Sequence, residues 1–170
     1  MAAFRYKLLI IPRSFIGHAP VTVIPEDALQ EGIEPWSAAL QPSQATKDRL
    51  RTLLPKNTSW GKTEEYVSNG EWTSKLCIWH DDGGWISNID FGYSAFCGDW
   101  QLMQEFVSIV RAEDCLLVEG RTGLVMPPSD ELVESEFKKS NAARFLVDPE
   151  SALRQASAGV REPRISEEKT

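Results

Sequence analysis

The chain has 170 residues, 42% hydrophobic and 25% charged, with six tryptophans, which fits a single folded domain with a real core and excludes a globally disordered or fibrous chain. The formal net charge of −7 is uneven: residues 61–120 hold three basic and eleven acidic side chains, against seven and five before them and eight and nine after. An acidic centre repels nucleic acid and anionic membrane and attracts basic partners, so a protein partner is expected and neither nucleic acid nor membrane is.

Apolar runs such as Leu8 to Ile11 are too short to cross a bilayer. The N-terminal "MAAFRYKLLIIPRSF" has a short apolar stretch and no small-residue cleavage site, so it is not read as a secretory signal and a cytoplasmic location is expected. Cys77, Cys97 and Cys115 are odd in number and widely spaced, which favours free, mostly buried thiols over a disulfide framework.

In chain order, "FRYKLLII" (4–11) is rich in β-formers and predicts a strand stopped by Pro12. The following stretch has three prolines and a glycine and predicts a loop with a short extended piece at Val21–Ile24. Residues 26–42 predict a short helix from Glu26 and then irregular chain. "SQATKDRLRTLLP" (43–55) predicts a helix capped by Ser43, with a stripe of Ala45, Leu50, Leu53 and Leu54, ended by Pro55.

"SKLCIWHDDGGWISNIDF" is two alternating runs around Asp82-Gly83, a favoured pair for a tight hairpin turn. With those two residues at the turn, His80 faces Trp85, Trp79 faces Ile86 and Lys75 faces Asp90. Leu76, Ile78, Trp85, Ile89 and Phe91 then share one face, and Trp79, Asp81, Ile86, Asn88 and Asp90 the other. Asp99 caps a predicted helix carrying Leu102, Met103, Phe106, Val107 and Val110. "DCLLVEG" predicts a buried strand, and "RTGLVMPP" a turn into another. Ser129 caps a helix with Asp130 and Glu131 in its first turn and Leu132, Val133 and Phe137 inward. "NAARFLVDP" is read as its end, with a short helix over 149–157 after the Asp148-Pro149 cap. The order predicts the α+β class: a largely antiparallel sheet with helices on one face, in one domain over residues 1–158, and a flexible charged tail over 159–170.

No catalytic, cofactor or metal signature stands out. On a strand His80 and Asp81 point to opposite faces, Asp82 serves the turn, and Cys77-x-x-His80 is half of a zinc pattern without its partner pair. A Cys/His nucleophile pair has no local signature. Glu113-Asp114 sits at a helix C-terminus and reads as solvent-facing, and "EGRTGLVMPP" lacks the setting of a phosphate cradle. The tryptophans are the useful oddity. Trp79 and Ile86 side by side, with Asp81 and Asp90 near them, make an apolar patch rimmed by acids, the pattern of a protein-binding surface.

A small acidic α+β chain of this kind resembles the immunity proteins of bacterial polymorphic and contact-dependent toxin systems. "DDGGWISNIDF", then a helix, a short hairpin and "SNAARFLVDP", is similar to domains associated with them, over about residues 55–155. The resemblance implies a non-enzymatic, stoichiometric inhibitor that presents acids to a basic toxin, with Trp79, Asp81, Ile86 and Asp90 as the contact residues expected from the spacing. Two other readings stand beside it: a small enzyme or ligand-binding domain built on scattered carboxylates and His80, and a structural subunit or adaptor.

Overall fold

A computed structural model describes residues 5–17 and 22–151, with only the backbone at Cys97. Its centre is strand β1 (Arg5–Pro12), whose apolar run Leu8–Ile11 buries side chains on both faces. That is why β1 reads as continuous rather than alternating hydrophobicity. It lies inside a six-stranded antiparallel sheet with β2 (Thr63–Val67), β3 (Lys75–His80), β4 (Ile86–Ser94), β5 (Cys115–Glu119) and β6 (Val125–Met126), in the order β2-β3-β4-β1-β5-β6. Helices α1 (Glu26–Glu31), α2 (Gln44–Leu53), α3 (Trp100–Arg111), α4 (Asp130–Lys139) and α5 (Asn141–Val147) complete the α+β fold.

The main core lies on one face. Leu8, Ile10, Leu76, Ile78, Ile89, Phe91 and Leu117 of the sheet meet Leu50 and Leu53 of α2, Met103, Phe106 and Val110 of α3, Val133 of α4 and Ala142 of α5. Phe91 stacks on Phe106 at 4.4 Å between centroids. Sequence and packing agree on the caps: Ser43, Asp99 and Ser129 accept from the backbone N–H three residues on, as expected of N-cap oxygens. Glu113 closes the α2 start from outside, accepting from Ser43 N–H at 3.0 Å, Ser43 Oγ at 2.7 Å and Thr46 Oγ1. Its burial is offset by these donors, which hold its carboxyl below the usual range. Glu113 therefore serves as a packed cap rather than a solvent-facing acid, while Asp114 pairs with Arg13 at 2.9 Å.

The opposite face is covered over half its width. Leu9, Ile11, Leu116 and Val118 pack with Ile24, and α1 adds Ala28 and Leu29. Not all helices lie on one face, then: α1 takes the other. The β2-β3-β4 half of that face carries Glu65, Lys75, Cys77, Trp79, Asn88 and Asp90.

Both sheet edges are blocked. Beyond β2, Asn57 N–H donates to Glu65 O and Val67 N–H to Pro55 O. Beyond β6, Val23 bridges Leu124 and Val125 N–H donates to Thr22 O. Gly123 permits that last approach, since φ is +71° and a Cβ would lie 2.0 Å from Ile24 O.

Several expectations change. Strand β2 was not foreseen, because its two adjacent glutamates hide the alternation. In α2 the inward residue is Thr46, and Ala45 is exposed. In α4 Leu132 is exposed while Val133 is fully buried. "NAARFLV" is a helix of its own, since Ser140 breaks out of α4 and caps α5 through Ala143 N–H at 3.3 Å. Asp148 caps helical chain over 149–151, and the rest of the expected last helix and the tail lie outside the described residues. Cys77 and Cys115 are free and buried, and burial pushes their thiols up to about 11 and about 12.

Candidate functional site

The β3–β4 hairpin exists as expected, but its register is displaced by two residues. The displacement comes in two single steps. The first is the loop. Asp81 N–H donates to Trp85 O at 2.9 Å and Gly84 N–H to Asp81 O at 3.1 Å, so three residues, Asp82 to Gly84, make the connection. Only Gly84 has a positive φ, +80°, which is the geometry of a turn closed by a left-handed glycine bulge rather than a two-residue turn. The second step is a β-bulge: His80 pairs with Ile86 but Trp79 with Asn88, leaving Ser87 extra. Chain remote in sequence fills this irregularity. Gln41 accepts from Ile86 N–H at 3.0 Å and donates to Ile86 O at 2.9 Å, and Trp36 N–H donates to Ser87 O.

Each step turns side chains over once. Past Asn88 the two cancel, and Ile89 and Phe91 keep their expected place in the core. Between them lies the correction: Ile86 is buried in the main core rather than beside Trp79, and Trp85 points to solvent, 47% exposed. The expected patch therefore loses Ile86.

Trp79 stays on the outer face, 37% exposed, and its Nε1–H donates to Asp90 Oδ2 at 2.7 Å. Asp90 is only 9% exposed and also meets Lys7 Nζ at 3.7 Å, so Lys7, not Lys75, is its cation. Lys75 pairs with Glu65 on β2. Asp81 spends Oδ1 on Trp85 N–H at 2.9 Å, which fixes the loop, and Asp82 pairs with Lys62. The acids expected to steer a partner are thus mostly held by internal partners.

What the hairpin end exposes instead is tryptophan. Trp60 precedes β2 in a turn closed by Thr63 N–H to Trp60 O, and is 65% exposed. Thr63 pairs with Trp79, and Trp85 closes the adjacent loop over Gly83. Trp60, Trp79 and Trp85 therefore sit at one end of the sheet on three neighbouring segments. Trp60 was not among the expected contact residues: it stands outside any periodic run, and only its pairing with the unforeseen β2 brings it here.

His80 lies on the inner side of this end. Its Nε2 is 2.9 Å from Glu64 Oε1 and its Nδ1 is 3.2 Å from Gly84 O. Glu64 also accepts both nitrogens of Arg51, at 2.9 and 2.6 Å, and the Tyr66 hydroxyl at 2.7 Å. The Arg51 guanidinium, with Tyr66 and His80, holds its carboxyl down to about 2 despite burial. Burial, then Glu64, pushes Tyr66 up to about 12. With each oxygen already accepting two donors, Glu64 stays ionised at neutral pH. The cluster ties α2, β2 and the hairpin loop together; it is a clamp in form.

Neither a family model nor a curated protein nor a solved structure matches the chain. Among the described residues no helix is long and apolar enough to cross a membrane.

Proposed function

We propose that this is a non-enzymatic protein-binding domain, an immunity-type inhibitor whose partner is a toxin with a basic surface. The observation that carries the reading is the gathering of Trp60, Trp79 and Trp85, all exposed, at the hairpin end of one sheet. Large, rigid aromatic side chains supply contact area at small entropic cost and dominate interface energetics. Leaving three of them exposed together at one end of the sheet serves no internal packing. The blocked sheet edges leave side chains rather than strand addition as the means of contact. The net charge of −7 favours a basic partner and speeds its approach.

Co-expression with the toxin encoded by an adjacent reading frame tests this. Cells are expected to survive with the wild-type chain and to die with the Trp60→Ala/Trp85→Ala double variant at equal soluble level. Death with both, or survival with both, overturns the reading.

A further inference from the structure

The opposite end of the sheet holds a different feature. The β2–β3 connection and the turn after β4 enclose an open cleft of about 400 Å³, lined by Asn69, Glu71, Trp72, Phe96, Asp99 and Leu102 among others. Trp72 and Phe96 lie against each other at 4.8 Å between centroids, tilted by 33° between planes, and both are exposed. Ser68 and Ser74 clamp the base of the loop, Ser68 N–H to Ser74 O at 3.0 Å and Ser74 N–H to Ser68 Oγ at 2.8 Å. The wall is therefore held in place before any ligand arrives.

Two carboxylates face this wall and no basic side chain lines it. Asp99 gives Oδ1 to Leu102 N–H as the α3 cap, and among the described residues its other oxygen and the whole Glu71 carboxylate have no partner. Elsewhere in the acidic central segment Glu64, Glu65, Asp82, Asp90 and Asp114 sit in ion pairs. Arg5, the nearby cation, is directed at the Thr73 carbonyl and hydroxyl, at 3.1 Å each. The α3 N-terminus adds about half a positive charge, against two full negative ones.

From this juxtaposition we infer that the cleft is a binding site for a guanidinium group, the arginine side chain of a protein partner. Guanidinium is flat and weakly hydrated, stacks on indole and phenyl faces, and forks onto carboxylates. An ammonium matches the charge but not the flat wall. A free amino acid would bring its own carboxylate against two acids, which favours a side chain within a peptide. The site lies at the far end of the sheet from Trp60, Trp79 and Trp85, so its failure leaves the proposed docking end untouched.

The test is titration of the full chain with Nα-acetyl-arginine amide, following the Trp72 indole N–H resonance. The resonance is expected to shift and saturate in the millimolar range. The neutral isostere Nα-acetyl-citrulline amide is expected to bind at least about tenfold more weakly, and free arginine more weakly than the blocked form. Glu71→Gln/Asp99→Asn, in which asparagine keeps the cap, is expected to lose about tenfold in affinity with the same thermal midpoint. Equal binding of the citrulline compound, undiminished binding by the double variant, or no saturating shift overturns the site. Tighter binding of free arginine overturns the assignment to a protein side chain.

Discussion

The two ends of the sheet solve opposite problems with the same residue types. At the hairpin end the acids are consumed internally: Asp82 by Lys62, Glu64 by Arg51 and His80, Asp90 by Lys7 and Trp79. The tryptophans are left outward. At the loop end the aromatics pack on each other, Trp72 on Phe96 and Phe96 edge-on to Phe145, and it is Glu71 and part of Asp99 that remain uncommitted. One end offers apolar area on a neutralised frame and the other offers charge beside an aromatic wall. Net charge read from composition does not separate these, because it counts a carboxylate inside an ion pair and a free one alike.

The largest effect that tests this contrast is at Ile86. It sits in the core one residue from exposed Trp85, so Ile86→Ala is expected to cost about 3 kcal/mol in denaturant unfolding. Trp85→Ala is expected to cost below about 1 kcal/mol. A reversal of that order would restore the register in which Trp85 points inward.

That residue pair also shows how far the sequence reaches. Alternation around "DDGG" locates the hairpin, and cap residues such as Asp99 and Ser129 locate helix starts, because both signals are local. The register depends on Gln41 and Trp36, which pin the bulge from more than forty residues away, and no local pattern carries that information. Strand β2 escapes for a similar reason: Glu64 and Glu65 point to opposite faces, and each is made tolerable by a cation from another element, Arg51 or Lys75. Trp79 and Asp90 were brought together on the expected face; the loop-end cleft was not foreseen, because two turns with no periodicity build it.

A second, smaller effect tests whether hairpin-end charge is structural. Glu64 is held down to about 2 in the folded chain, against an ordinary value of 4.5. Its contribution to stability is therefore complete above about pH 4.5 and is lost as pH falls through the interval down to about 2. Glu64→Gln is expected to lower the thermal midpoint at pH 7 and to flatten the loss of stability across that acid interval. A variant as steep as wild type there would remove Glu64 from the account. Close beside it, Trp79→Phe keeps an aromatic ring but withdraws the donor from buried Asp90, at a cost of about 1–2 kcal/mol by chemical denaturation. An unchanged midpoint would mean that water replaces the indole without loss.

The smallest effect falls at the other end. Glu71 has no partner among the described residues, and Asp99→Asn preserves the α3 cap, so neither Glu71→Gln nor Asp99→Asn is expected to change stability by more than about 0.5 kcal/mol. The argument turns on what each carboxylate does in the folded chain. A charge with internal partners is missed when it is removed, because its donors are left unpaired. A charge with none is missed only by whatever binds it, and relief of repulsion among neighbouring acids can even stabilise the fold slightly. Thermal melts of these two variants beside Glu64→Gln at the same pH and salt measure that difference. If Glu71→Gln proved as costly as Glu64→Gln, the acids of the two ends would be doing the same job, and the division between a neutralised end and a charged end would fail.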